Sequence, residues 1–278
     1  MKITYLGHSG FLAETALACY LFDYIRGELP DLPVEKPFYV FASHSHGDHF
    51  DPVIFHSEWS SRVTSFCLSS DIRKKYLRQQ PEWMKQYETR LLWFSDSISA
   101  NLYSSSVSRQ LTADGSPTHT PAPDEFDAPI PESYSPASEY PSKISVSTLR
   151  STDLGVAYLI CEEGGARIYH AGDLNWWHWE GKAKSWNRNM EVNYKREIEK
   201  IRGWHIDAAF VPLDPRLDEA YWYGLHWFAE QVPARHIFPM HFWNEYGIIP
   251  KYLNEHPVNH TKQITIHQIH QEGEQYEI

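Results

Sequence analysis

A chain of 278 residues, 42% hydrophobic and 15% aromatic with 11 tryptophans, is long enough to bury a sizeable core and too rich in apolar side chains for a disordered segment. Its formal net charge of -11, without a long basic run, repels phosphate backbones and disfavours nucleic acid as a partner. No stretch approaches the ~18 apolar residues of a membrane span, and Met1–Gly7 reads as a strand rather than a leader. Cys19, Cys67 and Cys161 lie far apart in apolar runs without a CxxC pair, which predicts buried thiols and a cytoplasmic protein.

Along the chain, strands are predicted at Lys2–Gly7, Cys19–Tyr24 and Pro37–Ala42 from their Tyr, Phe, Ile and Val content. Asp51-Pro52 has the form of an N-cap followed by proline at the first helical position, so a helix should open just after His49. Ser65–Ser69 reads as a strand and Asp71–Gln80 as a short polar helix. From about residue 104 to 142 the pattern is lost to Ser, Pro, Thr and Ala, with prolines at 117, 121, 123, 129, 131, 136 and 141. This is an insertion within a single domain covering residues 1–278, either a lid or a surface excursion. Strands return at Ile144–Leu149, Val156–Cys161, Arg167–His170, Asp207–Leu213 and His236–Met240, with helices at Glu191–Ile201 and Asp218–Gln231. Gln263–Ile278 supplies one or two closing strands. Each half starts with strands and ends in strand-then-helix units, which suggests an α/β sandwich of two similar halves.

The chemistry concentrates in His44-Ser45-His46-Gly47-Asp48-His49, directly after the apolar strand Phe38–Ala42. In extended backbone, positions i and i+2 point the same way, so His44 and His46 can grip one ion together. Gly47 permits a sharp turn that brings Asp48 and His49 toward a second ion. Four such groups buried together without a metal would be costly.

This segment matches the HxHxDH signature of the metallo-β-lactamase superfamily. Gly7-His8-Ser9-Gly10-Phe11-Leu12 resembles the opening of its ascorbate-6-phosphate-lactonase-like branch. Ile168-Tyr169-His170-Ala171-Gly172-Asp173 resembles the superfamily's strand-end AGD block, and Phe238-Pro239-Met240-His241-Phe242 its PMH block. The resemblance implies a four-layer αββα sandwich and a metal-dependent hydrolase. It implies that His44 and His46 hold a first ion, that Asp48, His49 and His241 hold a second, and that Asp173 is shared. Zinc is the expected metal, with manganese or iron as alternatives. The further histidine the superfamily supplies to the first ion is missing: the corresponding loop is Arg150-Ser151-Thr152-Asp153-Leu154-Gly155. Asp153 is the candidate substitute; otherwise the protein works with one ion.

Around these ligands, His8 is expected to contact substrate or to pack against backbone, and His170 to support the site without ligating. Trp176, in the run Trp176-Trp177-His178-Trp179, is a candidate wall for substrate or a packing residue. Asp214 is placed to hold a ligand histidine through its second ring nitrogen, and Arg216 to pair with an anion or in an ordinary salt bridge. The expected reaction is attack by metal-bound hydroxide on a small ester, lactone or phosphodiester, with Asp48 and Asp173 as the catalytic carboxylates. A non-catalytic metal-binding relative and a metal-dependent nuclease are the competing readings.

Overall fold

The computed structural model of the protein describes residues 1–103, 143–257 and 263–278. The Ser/Pro-rich segment 104–142 lies outside the described residues. Among them, fourteen strands build two seven-stranded mixed sheets. In chain order they are β1 (Lys2–Gly7), β2 (Gly10–Glu14), β3 (Cys19–Phe22), β4 (Phe38–Ala42), β5 (Ser65–Ser69), β6 (Leu91–Phe94), β7 (Ser99–Tyr103), β8 (Lys143–Arg150), β9 (Val156–Glu162), β10 (Arg167–His170), β11 (Ile206–Pro212), β12 (Ala234–Met240), β13 (Thr265–Ile266) and β14 (Gln275–Glu277). Sheet one runs β14-β1-β2-β3-β4-β5-β6 and sheet two β13-β12-β11-β10-β9-β8-β7.

The two sheets repeat one plan. An antiparallel meander (β1 to β3, β7 to β10) passes into parallel strands (β3 to β6, β10 to β13). The last strand, β14, crosses back to pair with β1. Strand alternation divides sheet one cleanly. Tyr20, Phe22, Tyr39 and Phe41 face a large core shared with sheet two, whereas Cys19, Leu21, Phe38 and Val40 face a second core on the outer side. That outer core is capped by Phe50, Phe55 and Trp83, with the rings of Phe55 and Trp83 stacked at 4.1 Å.

Helices cover the outer faces. α1 (Ser70–Tyr76) lies on β5 and β6, α2 (Glu82–Gln86) follows it, and α3 (Lys184–Glu199) packs on α4 (Tyr223–Gln231), which lies on β11 and β12. α5 (Ile248–Glu255) completes that side. The result is the expected αββα arrangement. No helix among the described residues is long and apolar enough to cross a membrane.

Three helix expectations are corrected. The helix after His49 is a single 3-10 turn, Pro52–Phe55; Asp51 does cap it, accepting from the Val53 amide at 2.8 Å. The run Val-Ile-Phe is a poor helix former, and its Ile54 and Phe55 are drawn into the outer core. The helix predicted over Asp218–Gln231 is broken: a 3-10 segment Pro215–Ala220 contains Asp218 at φ 49°, and α4 starts only at Tyr223. α3 begins seven residues earlier than the predicted Glu191, at Lys184, because Trp186 and Met190, one helical turn apart, pack on the main core.

Candidate metal centre

The candidate residues sit on loops that leave one edge of the sandwich. His8 follows β1, Asp23 follows β3, and the histidine cluster follows β4. Asp173 follows β10, Asp214 follows β11 and His241 follows β12. The carboxyl ends of adjacent parallel strands are where α/β sheets place ligands, because the loops there diverge and leave a crevice. Two glycines let the loops close on each other. At Gly155 (φ 71°) a Cβ would lie 2.0 Å from the Ser43 carbonyl oxygen, and at Gly172 (φ 50°) 2.6 Å from Ser43 Cβ.

Two groups of donor atoms result. His8, Asp48, His49 and His241 form one and His44, His46 and Asp173 the other; within each, the donor atoms all lie within 4.8 Å of one another. Asp173 stands between the groups. Its Oδ2 is 3.3 Å from His44 Nε2, while its Oδ1 is 3.2 Å from His49 Nε2 and 3.4 Å from His241 Nε2. His46 Nδ1 is 3.0 Å from His44 Nε2. Asp48 Oδ2 approaches His8 Nε2 at 3.3 Å and His241 Nε2 at 3.8 Å.

Three of the buried rings are aimed from behind. His49 Nδ1 lies 2.7 Å from Asp23 Oδ2, and Asp23 is itself fixed by the backbone amide and hydroxyl of Ser43, both at 2.7 Å. His241 Nδ1 lies 2.9 Å from Asp214 Oδ2, as the sequence suggested for Asp214. With Nδ1–H donated to a carboxylate, Nε2 of each ring faces the centre, where a metal ion can take the place of its proton. His44 Nδ1 contacts the Ser43 hydroxyl at 3.0 Å.

The inward atoms lack well-directed hydrogen bonds. His8 Nε2, His49 Nε2, His241 Nε2 and Asp173 Oδ1 are buried and make no hydrogen bond of acceptable geometry. Stranding each such atom costs about 1–3 kcal/mol, and their convergence on one spot fits a cation. The charges agree. Burial pushes Asp173 toward neutrality, but His49 and His241 beside it hold its carboxyl well below the usual range. Burial likewise raises Asp48, outweighed by His8 and His49, so that it too stays ionised. Burial opposes charge on His49, yet Asp173 and Asp23 raise its pKa well above the ordinary value. His8 is lowered to about 4, chiefly by burial and only partly countered by Asp48. The edge thus demands positive charge between its carboxylates, and a divalent ion among these nitrogen and oxygen donors supplies it.

No family model matches the chain. A metal-dependent hydrolase of the UPF0173 group from Desulforamulus reducens is 40% identical over 70 residues, which are 23% of this chain and 30% of that relative's length. The solved structure of Igni18, a metallo hydrolase from Ignicoccus hospitalis, superposes with a TM-score of 0.54 at 15% identity over 100% of this chain and 98% of its own. An isothiocyanate hydrolase from Delia radicum gut bacteria gives 0.51 at 12% identity over 100% and 99%. The chain has the metallo-β-lactamase fold.

Within the metallo-β-lactamase fold, the remaining candidates fall at different distances from the centre. Asp153 stands at the rim, half exposed, 3.9 Å from His46 Nδ1 and outside both donor groups. His8 belongs to a donor group rather than behind it. His170 does not reach the centre: its Nε2–H donates to the Ser9 carbonyl at 2.9 Å, its Nδ1 accepts from Gly172 N at 3.2 Å, and its ring stacks on Phe22. That is a supporting role, and burial keeps the ring neutral. Trp176 turns away, toward α4, where it contacts Tyr223 and Trp227. Its neighbour Trp177 packs on His241 at 5.6 Å instead. Arg216 makes the ordinary salt bridge, donating to Asp214 from Nε at 3.0 Å and from Nη2 at 2.5 Å.

Sequence reasoning missed three residues. Asp23 was legible only as an acid closing an apolar strand, one residue past β3, whereas Asp173 stands three residues past β10. Trp177 was inseparable from Trp176 in the tryptophan run. Trp243, 4.5 Å from His8 between ring centres, stands two residues past His241.

Proposed function

We propose that the chain is a metal-dependent hydrolase of small esters, lactones or phosphodiesters. His8, Asp48, His49 and His241 would hold one divalent ion, His44 and His46 a second, and Asp173 would reach both. The observation that carries this reading is the placement of Asp173, each of whose oxygens faces a different set of inward imidazole nitrogens. Zinc suits this donor set, as do manganese and iron. The group of His44, His46 and Asp173, with three donors, one of them on the half-exposed His46, is the weaker, so a single retained ion belongs with the four-donor group.

When bound, a divalent ion supplies Lewis acidity, activating water near neutral pH and drawing charge from a carbonyl or phosphoryl oxygen. The residues do the rest. Asp23 and Asp214 fix the tautomers of His49 and His241, so that no time is lost reorienting rings. Asp48, ionised and partly open to solvent, would orient an attacking water or accept its proton. The net charge of -11 favours a small molecule over nucleic acid as substrate.

Elemental mass spectrometry on protein purified without chelators tests the reading. One or two transition-metal ions per chain are expected in the wild type. Asp173→Ala should lose metal and ester hydrolysis while keeping its circular dichroism spectrum. Unchanged metal content and turnover in that variant would overturn the assignment.

A further inference from the structure

Trp243 is held where its own burial gains little. The chain turns left-handed at His241 (φ 65°), Trp243 (φ 51°) and Asn244 (φ 64°), a conformation bulky L-residues seldom adopt. The outcome is a tryptophan left 42% exposed, and it is the one aromatic among the most exposed large apolar side chains of the described residues. A strained backbone that exposes a large ring beside a candidate centre points to use of that ring.

The ring does not swing freely. It packs on His8 at 4.5 Å and on His241 at 5.7 Å, and the Arg216 guanidinium lies 4.6 Å from its centre. Arg216 is rigid in turn, forked onto Asp214 and 5.7 Å from the Trp179 ring. Trp179 lies parallel to Trp177, which packs edge-on against His241. Because Asp214 neutralises Arg216, the exposed part of Trp243 presents flat apolar surface with little net charge from the cation beside it.

We propose that Trp243 sets the specificity of the site by seating a neutral aryl ring joined directly to the scissile ester or lactone bond. This rests on the hydrolase reading above. In the reaction, the oxygen of water joins the carbonyl carbon, the bond from that carbon to the aryl oxygen breaks, and the released phenoxide takes up a proton. An aryl ring is preferred because offset and edge-on ring contacts add to simple area burial.

The test compares two six-membered lactones, dihydrocoumarin and δ-valerolactone, which differ by a fused benzene ring. Intrinsic reactivity cancels when the ratio of their kcat/KM values is compared between proteins. The ratio should fall about ten-fold in Trp243→Ala and in Trp243→Leu, which keeps apolar bulk without a flat face, and largely persist in Trp243→Phe. A second readout needs no turnover: calorimetric binding of 3-phenylpropanoate against pentanoate should lose the same factor in the first two variants. An unchanged ratio in both measurements overturns the role of Trp243 even if both lactones are hydrolysed. If the wild type holds no metal and hydrolyses neither lactone, the hydrolase reading fails, and the binding ratio alone decides on Trp243.

Discussion

Nδ1 of His49 lies 2.7 Å from Oδ2 of Asp23, and both side chains are closed to solvent. The contact does two things at once. It gives the carboxylate a charged partner, and it commits the ring to present Nε2 toward Asp173. An amide in place of the carboxylate keeps the volume but removes the charge, and it tolerates either tautomer. Asp23→Asn should therefore fold and bind metal about 10–100-fold more weakly, the usual effect of losing an outer partner of a ligand histidine. Competition with a chromophoric chelator measures this directly. Wild-type affinity in the variant would show that Asp23 serves packing alone.

That relationship also marks the limit of what the sequence displays. The HSHGDH run is local, so the convergence of His44, His46, Asp48 and His49 can be read from six letters. Asp173 and His241 were findable because each ends an apolar strand inside a recognisable block. Asp23 ends a strand too, but a single acid after Cys19–Phe22 has no pattern around it, and only the pairing of β3 with β4 brings it under His49. Which of its two expected roles Trp176 takes, substrate wall or packing residue, was hidden for a smaller reason. Past Gly172, at φ 50°, the chain direction changes, and which tryptophan faces His241 depends on that one turn. In the fold, β7 was invisible because Ser-Ala-Asn-Leu-Tyr has no strong apolar rhythm. It is held by pairing with β8, across the 104–142 segment.

A second histidine pair, remote from the centre, makes a prediction about pH. His236 Nδ1 and His267 Nε2 are 2.9 Å apart, close enough to share one proton but not to carry two charges. Burial, then repulsion from His236, lowers His267 to about 4; burial also lowers His236, with Asp207 opposing and Arg235 and the N-terminus assisting. In the unfolded chain both titrate near 6.5. Between about 6.5 and 4 the unfolded chain therefore binds more protons, so stability rises with pH across that window. The contribution is present above 6.5 and is lost as pH falls toward 4. His267 stacks on Phe238 and flanks β13, so edge pairing with β12 should loosen first. Melting temperatures measured from pH 7.5 to 4.5 should drop more steeply in the wild type than in His267→Gln. Parallel curves would remove the pair from any part in acid sensitivity.

Two glycines of almost the same conformation separate backbone strain from packing at the centre. Gly155 has φ 71° and Gly164 φ 68°. A left-handed residue with a Cβ costs about 1–2 kcal/mol, so both alanine variants share that penalty. They differ in what the new methyl meets. At Gly164 nothing lies within 4 Å; at Gly155 the Ser43 oxygen would be 2.0 Å away and His44 Cβ 2.5 Å. Neither neighbour is the free end of a flexible side chain, so the backbone must shift, which adds roughly 1–3 kcal/mol. With about 2–4 °C per kcal/mol for a domain of comparable size, Gly164→Ala should melt a few degrees low and Gly155→Ala about twice as far below the wild type. The displaced atoms belong to the strand end that carries His44, and Ser43 also holds Asp23 behind His49. Gly155→Ala should therefore release metal to a chelator more readily, while Gly164→Ala should not. If the two variants melt together and retain metal equally, the loop 151–155 does not press on Ser43, and its part in shaping the donor group of His44, His46 and Asp173 falls away.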